Sequence, residues 1–518
     1  MAVVTWDGSS STAYSTAANW DTGSVPGDGD DVVIPDTSSI NACNVDSNDS
    51  CNSLTVLTNG EIGSDAGAKL AILGEADGTG ATTNGFAVNI DGAITDNGGT
   101  SLDLDIRTQA ATKLDIMGSS GNIRNLIINH ASCDAFLEAN TTITGNLTIT
   151  LGALTCTTEA GDARTINVAG TTSVTGTFTA TSQDVVLGSG LTSGWGLAIQ
   201  SGGTFVGGSG IHTIGSIFAA SGGTKTITLS SGATTINSKN TSNGFTINLA
   251  SGTTFNHGSG TVTMTYAGDT LNQLSGGTLA FNTFTYNASG RTLELRSAMS
   301  CAANLTITAG TLDTKSGTNN ALTVTGNCIV EGTLTGNASA ISLGSLYINN
   351  GGTYSATSGT TTITNLNSSS GNRSFRLHTG GTLTHNNGKF LFNRNGDQFI
   401  GSTPSDATIT FYDLELTSSG SAAKQIRDMD LLVANDLTVG ANVTFSHEQV
   451  ADVITVTGDV DVSGTLNCST TSGGANMNPT FGSLTINSGG TYTATAGTTI
   501  IKGNASSSTN LALNIDSN

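Results

Sequence analysis

The sequence predicts an all-β fold, an elongated parallel β-helix (β-solenoid) with irregular rungs. Three observations predict it. First, one stretch is written more than once. Residues 305–334 match residues 437–466 at a constant shift of 132, with Leu305 on Leu437, Leu322 on Ile454, Val324 on Val456, Val330 on Val462 and Leu334 on Leu466. A looser copy upstream places Leu147, Ile166, Val168, Val174 and Phe178 at the same kinds of position. Self-similarity of this sort marks a solenoid. Second, 68 glycines, with Ser, Thr and Asn throughout, make poor helices, yet 36% hydrophobic residues in alternating runs of three to five argue against disorder. Third, the phrase Gly-Thr-apolar recurs, at Gly203-Thr204-Phe205, Gly277-Thr278-Leu279, Gly310-Thr311-Leu312, Gly332-Thr333-Leu334, Gly352-Thr353-Tyr354, Gly381-Thr382-Leu383, Gly464-Thr465-Leu466 and Gly490-Thr491-Tyr492. Glycine is expected there for the positive φ of a corner, and the apolar residue is expected to turn inward.

Residues 1–35 differ from the rest. They hold Trp6 and Trp20, two of the three tryptophans, and two of the four prolines. Large aromatics at the open end of a stack would cover apolar side chains that have no further rung to rest on, so this segment is expected to be an N-terminal aromatic cap. The pattern W-D-G, N-W, V-P, G-D and V-V-I-P resembles the opening of bacterial and phage surface proteins of the fibre and adhesin type, built as right-handed β-solenoids. It covers about 35 residues in detail, and the later repeats extend it loosely. The resemblance implies a right-handed coil and extracellular scaffolding or adhesion, without one shared activity.

Residues 36–518 are expected to form one continuous solenoid, with internal repeats at about 146–210, 304–366 and 436–504. Between 36 and 130, apolar triplets recur unevenly, at Leu54-Val56, Leu70-Ile72, Val88-Ile90, Leu102-Ile106, Leu114-Ile116 and Leu126-Ile128. Unequal corners account for the spacing. Rungs of roughly 20 to 30 residues would give about 20 rungs and a rod on the order of 100 Å. Residues 346–363 and 484–501 are near copies at a shift of 138, so the second carries a short insertion near 467–480. Residues 255–264 match 383–392, with His257 on His385. The end, NLALNIDSN, reads as a further strand, expected to pack on another subunit or to continue in a longer chain.

Formal charge is −21, from 17 Lys+Arg against 38 Asp+Glu, and no basic cluster is visible in the sequence. Such a field repels nucleic acid, which is excluded as the main partner. No apolar run is long enough to span a membrane, and no signal peptide follows Met1. Export by a route that needs no leader, or a leader already removed, is expected.

Seven cysteines at 43, 51, 133, 156, 301, 328 and 468 are too scattered for a disulfide framework. Under the shift of 132, Cys301 falls on Val433 and Cys328 on Val460, so cysteine is read as a small buried apolar residue. Cys43 and Cys51 alone are close enough in sequence to consider a bond.

Candidate chemistry is sparse. Asp103 and Asp105 share one face of a strand, opposite Leu102, Leu104 and Ile106. Paired carboxylates can hydrolyse a glycan, but Arg107 shares the face and a solvated, partly neutralised charge row is expected. Asp28, Asp30 and Asp31 in PGDGDD are a calcium candidate; an ordinary polar turn is the favoured reading. His130, His212, His257, His378, His385 and His447 lack metal-ligand spacing. The clustered Asp, His and Arg or Lys motifs of polysaccharide-cleaving β-helices are absent from the sequence. No catalytic residue and no cofactor is assigned. The expected role is a non-enzymatic structural or adhesive protein on the virion surface of a phage, as a tail fibre or head-surface protein. A bacterial surface adhesin or matrix filament, and a polysaccharide-degrading enzyme, are the alternatives. Expected partners are copies of itself, other virion or surface proteins, and cell-surface glycan.

Overall fold

The computed structural model describes residues 2–95, 101–116, 120–268, 271–277, 279–368, 371–403, 407–447, 453–469, 478–503 and 512–516. Thr278, in one of the eight Gly-Thr-apolar phrases, and 470–477, within the expected insertion, lie outside them. The fold is all-β: parallel coils stack into a β-solenoid of about 19 turns. The chain divides into two units, Met1–Tyr266 and Ala267–Asn518.

In the first unit each turn contributes strands to three faces. On one, Cys51, Ile72, Ile106, Ile128, Ile149, Val174, Ile199, Ala219 and Leu249 lie in register, each paired with the next. A second face carries Val4, Val32, Leu54, Val88, Leu114 and Leu137, and continues through Ala135, Leu154, Phe178, Phe205, Ile227 and Phe255. A third carries Ile123, Ile143, Val168, Leu187, Ile214, Ile236 and Met264. The uneven early triplets are thereby explained: Leu54, Val88 and Leu114 stack on one face, and Leu70, Leu104 and Leu126 on another. Nearly all these inward side chains are fully buried, and each stabilises the stack by about 1.5–3 kcal/mol before ordering costs.

The aromatic residues near the N-terminus sit at the first turn. Val3–Thr5 pairs with Asp31–Val33, and Ala13 bridges to Asn44. Trp6, Tyr14 and Trp20 are buried, with rings edge-to-face at 5.0 Å and 4.8 Å. Both indoles donate to carbonyls, Trp6 Nε1 to Asn41 at 2.7 Å and Trp20 Nε1 to Tyr14 at 2.8 Å, so no buried indole donor is left unmet.

In the second unit one column runs Phe281, Cys301, Val324, Leu343, Ile363, Phe392, Leu416, Val439, Val462, Ile486 and Ile515. Cys301 and Cys328 stand in apolar columns, as their exchange with valine implies. All seven cysteines are buried and free, so Cys43 and Cys51 are not bonded. The core is not uniformly small: Phe375, Phe390 and Phe411 meet at centroid distances of 4.7–6.1 Å.

The repeat reproduces local register. Leu305 pairs with Cys328 and Leu437 with Val460; Leu334 pairs with Tyr354 and Leu466 with Tyr492. Tyr354 and Tyr492 each share a 2.7 Å hydrogen bond with the threonine seven residues on, Thr361 and Thr499. The copies nonetheless lie on different faces. Leu305 continues to Leu346, Phe375, Ile400 and Ile426, whereas Leu437 belongs to the column of Leu414, Val460, Leu484 and Leu513.

At corners, where strand pairing lapses, Asn and Asp side chains take over. Asn125 Oδ1 accepts the Asn146 N–H at 2.9 Å, and Asn146 Oδ1 that of Thr171 at 2.8 Å. Asn304 does so for Asn327, and Asp436 for Asp459, each at 2.9 Å. Each contact gives a corner N–H an acceptor on the preceding turn.

The glycines of the repeated phrase serve a different purpose from the one expected. Of those described, Gly310 has a positive φ, 83°; Gly203, Gly277, Gly332, Gly352, Gly381, Gly464 and Gly490 do not. Apart from Gly277, which has open space, they are glycine because a neighbouring turn's backbone passes too close. A Cβ at Gly352 would lie 2.1 Å from the Val330 carbonyl, and one at Gly203 2.2 Å from that of Val174. The positive φ belongs to the preceding residue in four cases, Gly202, Gly351, Gly380 and Gly489.

A matched pair of substitutions separates the two requirements. Gly351→Ala has open space but a φ of 80°, and should cost about 1–2 kcal/mol in urea unfolding. Gly352→Ala forces a backbone shift and should cost more; the reverse order would refute close approach as the reason for that glycine.

Candidate functional site

Asp103 and Asp105 lie on the strand Ser101–Ile106 and point away from Leu102, Leu104 and Ile106, as alternation requires. They are not a solvated row. Asp105 is fully buried beneath Lys69 Nζ and Arg107 Nη2, each 2.7 Å from Oδ2. Burial works to raise its carboxyl, but the hydrogen bonds from Arg107 and Lys69 outweigh it and hold the pKa below the ordinary value. Asp103 receives Arg124 Nε at 2.9 Å and Nη2 at 2.8 Å, with the Asn125 N–H at 3.0 Å and Nδ2 at 2.9 Å. Arg124 also donates to the Asp65 carbonyl at 2.7 Å. Lys69 and Arg124 come from the turns before and after, a placement the sequence does not display, whereas Arg107 follows Asp105 on its own turn. Asp105, so engaged, is a stable anion, ill suited to proton transfer. A depression of about 260 Å³ beside them is lined by Lys69, Asp103, Asn125, Asn146 and Thr148.

Asp28, Asp30 and Asp31 take separate partners. Asp28 accepts the Ser50 hydroxyl, and Asp30 accepts the Gly27 N–H at 2.9 Å. Asp31 is not on the turn: it opens the strand Asp31–Ile34, is buried, and accepts Asn52 Nδ2 and Ser53 Oγ at 2.7 Å each. Among the described residues no group of three or more His, Cys, Asp or Glu is placed to hold a metal ion.

The histidines serve individual turns. His130, His257 and His385 each accept, at Nδ1, the backbone N–H two residues on, at 3.2, 2.8 and 3.1 Å. The His257/His385 match is thus a corner geometry repeated. His212 is different. It is fully buried in a strand between Val185 and Thr234, and neither ring nitrogen has a hydrogen-bond partner. Burial pushes its pKa down to about 4, against a weaker upward pull from Asp184.

Two clusters escaped sequence reasoning because stacking alone creates them. Asp413, Asp436 and Asp459 follow one another up a corner, and burial with the charges of Asp459 and Asp436 raises the Asp461 carboxyl. Arg373, Arg376 and Arg427 gather on one face with Tyr347 and Phe399. A periodicity search at the rung spacing would have found both. Buried lysines also cap loops: Lys424 Nζ donates to the Arg394 and Gly396 carbonyls and to Gln398 Oε1 at 2.7–2.9 Å, and burial lowers its pKa to about 8.

His212 supplies a pH test. The unfolded ring titrates near 6.5 and the folded one near 4. Stability is full above pH 6.5, falls as the pH drops towards 4 and levels off below, a loss of about 3 kcal/mol. His212→Val, copying Val185 one turn earlier, should flatten that part of the urea-unfolding profile; an unchanged slope would assign it to other groups.

No protein-family model, curated protein or solved structure matches the chain.

Proposed function

We propose that this is a non-enzymatic extracellular protein whose role is structural and adhesive, carried on a phage particle as a tail fibre or head-surface protein. One observation carries the non-enzymatic part: the carboxylates best placed for chemistry, Asp103 and Asp105, are occupied by Arg124, Lys69 and Arg107 and hold neighbouring turns together. In-register turns present outward columns such as Thr177, Thr204, Thr226 and Thr254, suited to lateral contact more than to enclosing a substrate. The assignment to a particle rests on the W-D-G to V-V-I-P opening, whose tryptophans are buried at the first turn.

Mass spectrometry of purified particles should detect the chain as a stoichiometric component. Its absence there, with recovery from a bacterial surface fraction, would transfer the reading to an adhesin or matrix filament. Incubation with a panel of polysaccharides should yield no new chain ends; their appearance would overturn the non-enzymatic assignment.

A further inference from the structure

The face that gathers Arg373, Arg376 and Arg427 is unusual in a chain with 17 Lys+Arg and a charge of −21. In-register pairing places Tyr347, Arg376, Gly401 and Arg427 in one outward column, and Arg373 and Phe399 in the next. Two guanidinium groups lie over aromatic rings, Arg427 at 3.5 Å from the Phe399 centroid and Arg376 at 4.6 Å from that of Tyr347. Arg373 pairs with Asp428 at 2.6 Å. Among the described residues, Arg376 meets the neutral Asn349 Oδ1, at 3.1 Å, besides its ring, and pairs with no carboxylate. Gly401 keeps the column open between Arg376 and Arg427; a Cβ there would lie 3.0 Å from Arg373 Nε and 2.6 Å from the Arg427 carbonyl.

Like charges on one face repel, and this set is held by rings that fix the guanidinium planes while leaving the cations partly exposed. Planar, oriented guanidinium groups match the two oxygens of a carboxylate or the oxygens of a sulfate. Arg376 and Arg427 stand two turns apart, roughly 10 Å at the spacing of stacked strands. A linear glycan with an acidic group on alternate sugars offers charges at a comparable interval.

We propose that this face binds an anionic polysaccharide along the direction of stacking, with Arg376 and Arg427 as the principal contacts and Arg373 between them. The inference rests on the adhesive part of the function proposed above and supplies its ligand class. The full chain should be retained by immobilised polygalacturonate or dextran sulfate, the two arms telling carboxylate from sulfate, and not by neutral dextran. Retention should weaken with added salt. Arg376→Ala/Arg427→Ala should lose roughly 10- to 100-fold in affinity. Arg376→Ala alone, which breaks no ion pair, should lose a part of that, and Lys315→Ala, an exposed cation on the separate hairpin at 315–319, none. No retention on either anionic matrix, equal retention on neutral dextran, or unaltered binding by the folded double variant would overturn the proposal. Particle association is measured separately and would stand or fall without it.

Discussion

Turn-on-turn register is the constraint on which the rest of this molecule depends. A parallel ladder sets each residue directly over its counterpart one turn earlier, at about 4.8 Å. Any side chain must therefore tolerate what lies above and below it. Apolar positions become columns such as Ile128, Ile149, Val174 and Ile199. Corners become ladders of Asn and Asp whose oxygens take the next turn's N–H, as at Asn125 and Asn146. Backbones meet so closely at some corners that glycine is required for lack of room. Core, corner and glycine follow from one geometric rule.

The same rule explains the electrostatics. Charged groups far apart in sequence become neighbours when their turns adjoin. Lys69 reaches Asp105, Arg124 reaches Asp103, Arg373 reaches Asp428 and Lys389 reaches Glu415. The first two and the last tie successive turns, and Arg373–Asp428 spans two. Where they are partly exposed they add little each, but Asp105 is buried and needs both its cations, since a lone carboxylate there would be strongly disfavoured. Stacking also collects like charges, as at Asp413, Asp436 and Asp459 and on the arginine face. Acid and base clusters of this kind are products of the coil, and their chemistry belongs to the assembled faces.

Much of the fold was legible because alternation and self-similarity are local properties. The strands of Leu305 to Leu334 and of its copy were read from alternation, and Leu305 and Leu437 do occupy strands whose next-turn partners, Cys328 and Val460, correspond. Cys301 and Cys328 read as apolar because valine replaces them, and both are buried in columns. The candidate site was less legible. Asp103 and Asp105 alternate correctly with leucines, but their burial depends on Lys69 and Arg124, which lie on other turns. His212 carries no local mark of its isolation in the core.

By itself, the sequence determined that this chain is a parallel stack of short strands, because side-chain alternation and a repeated phrase depend only on neighbours along the backbone. Tertiary structure alone decided which face each strand joins. Leu305 and Leu437 occupy equivalent places in the repeat, yet they stand on different columns, since the residues between them do not make a whole number of turns. Corner lengths accumulate along the coil. Only their sum fixes which side chains finally meet.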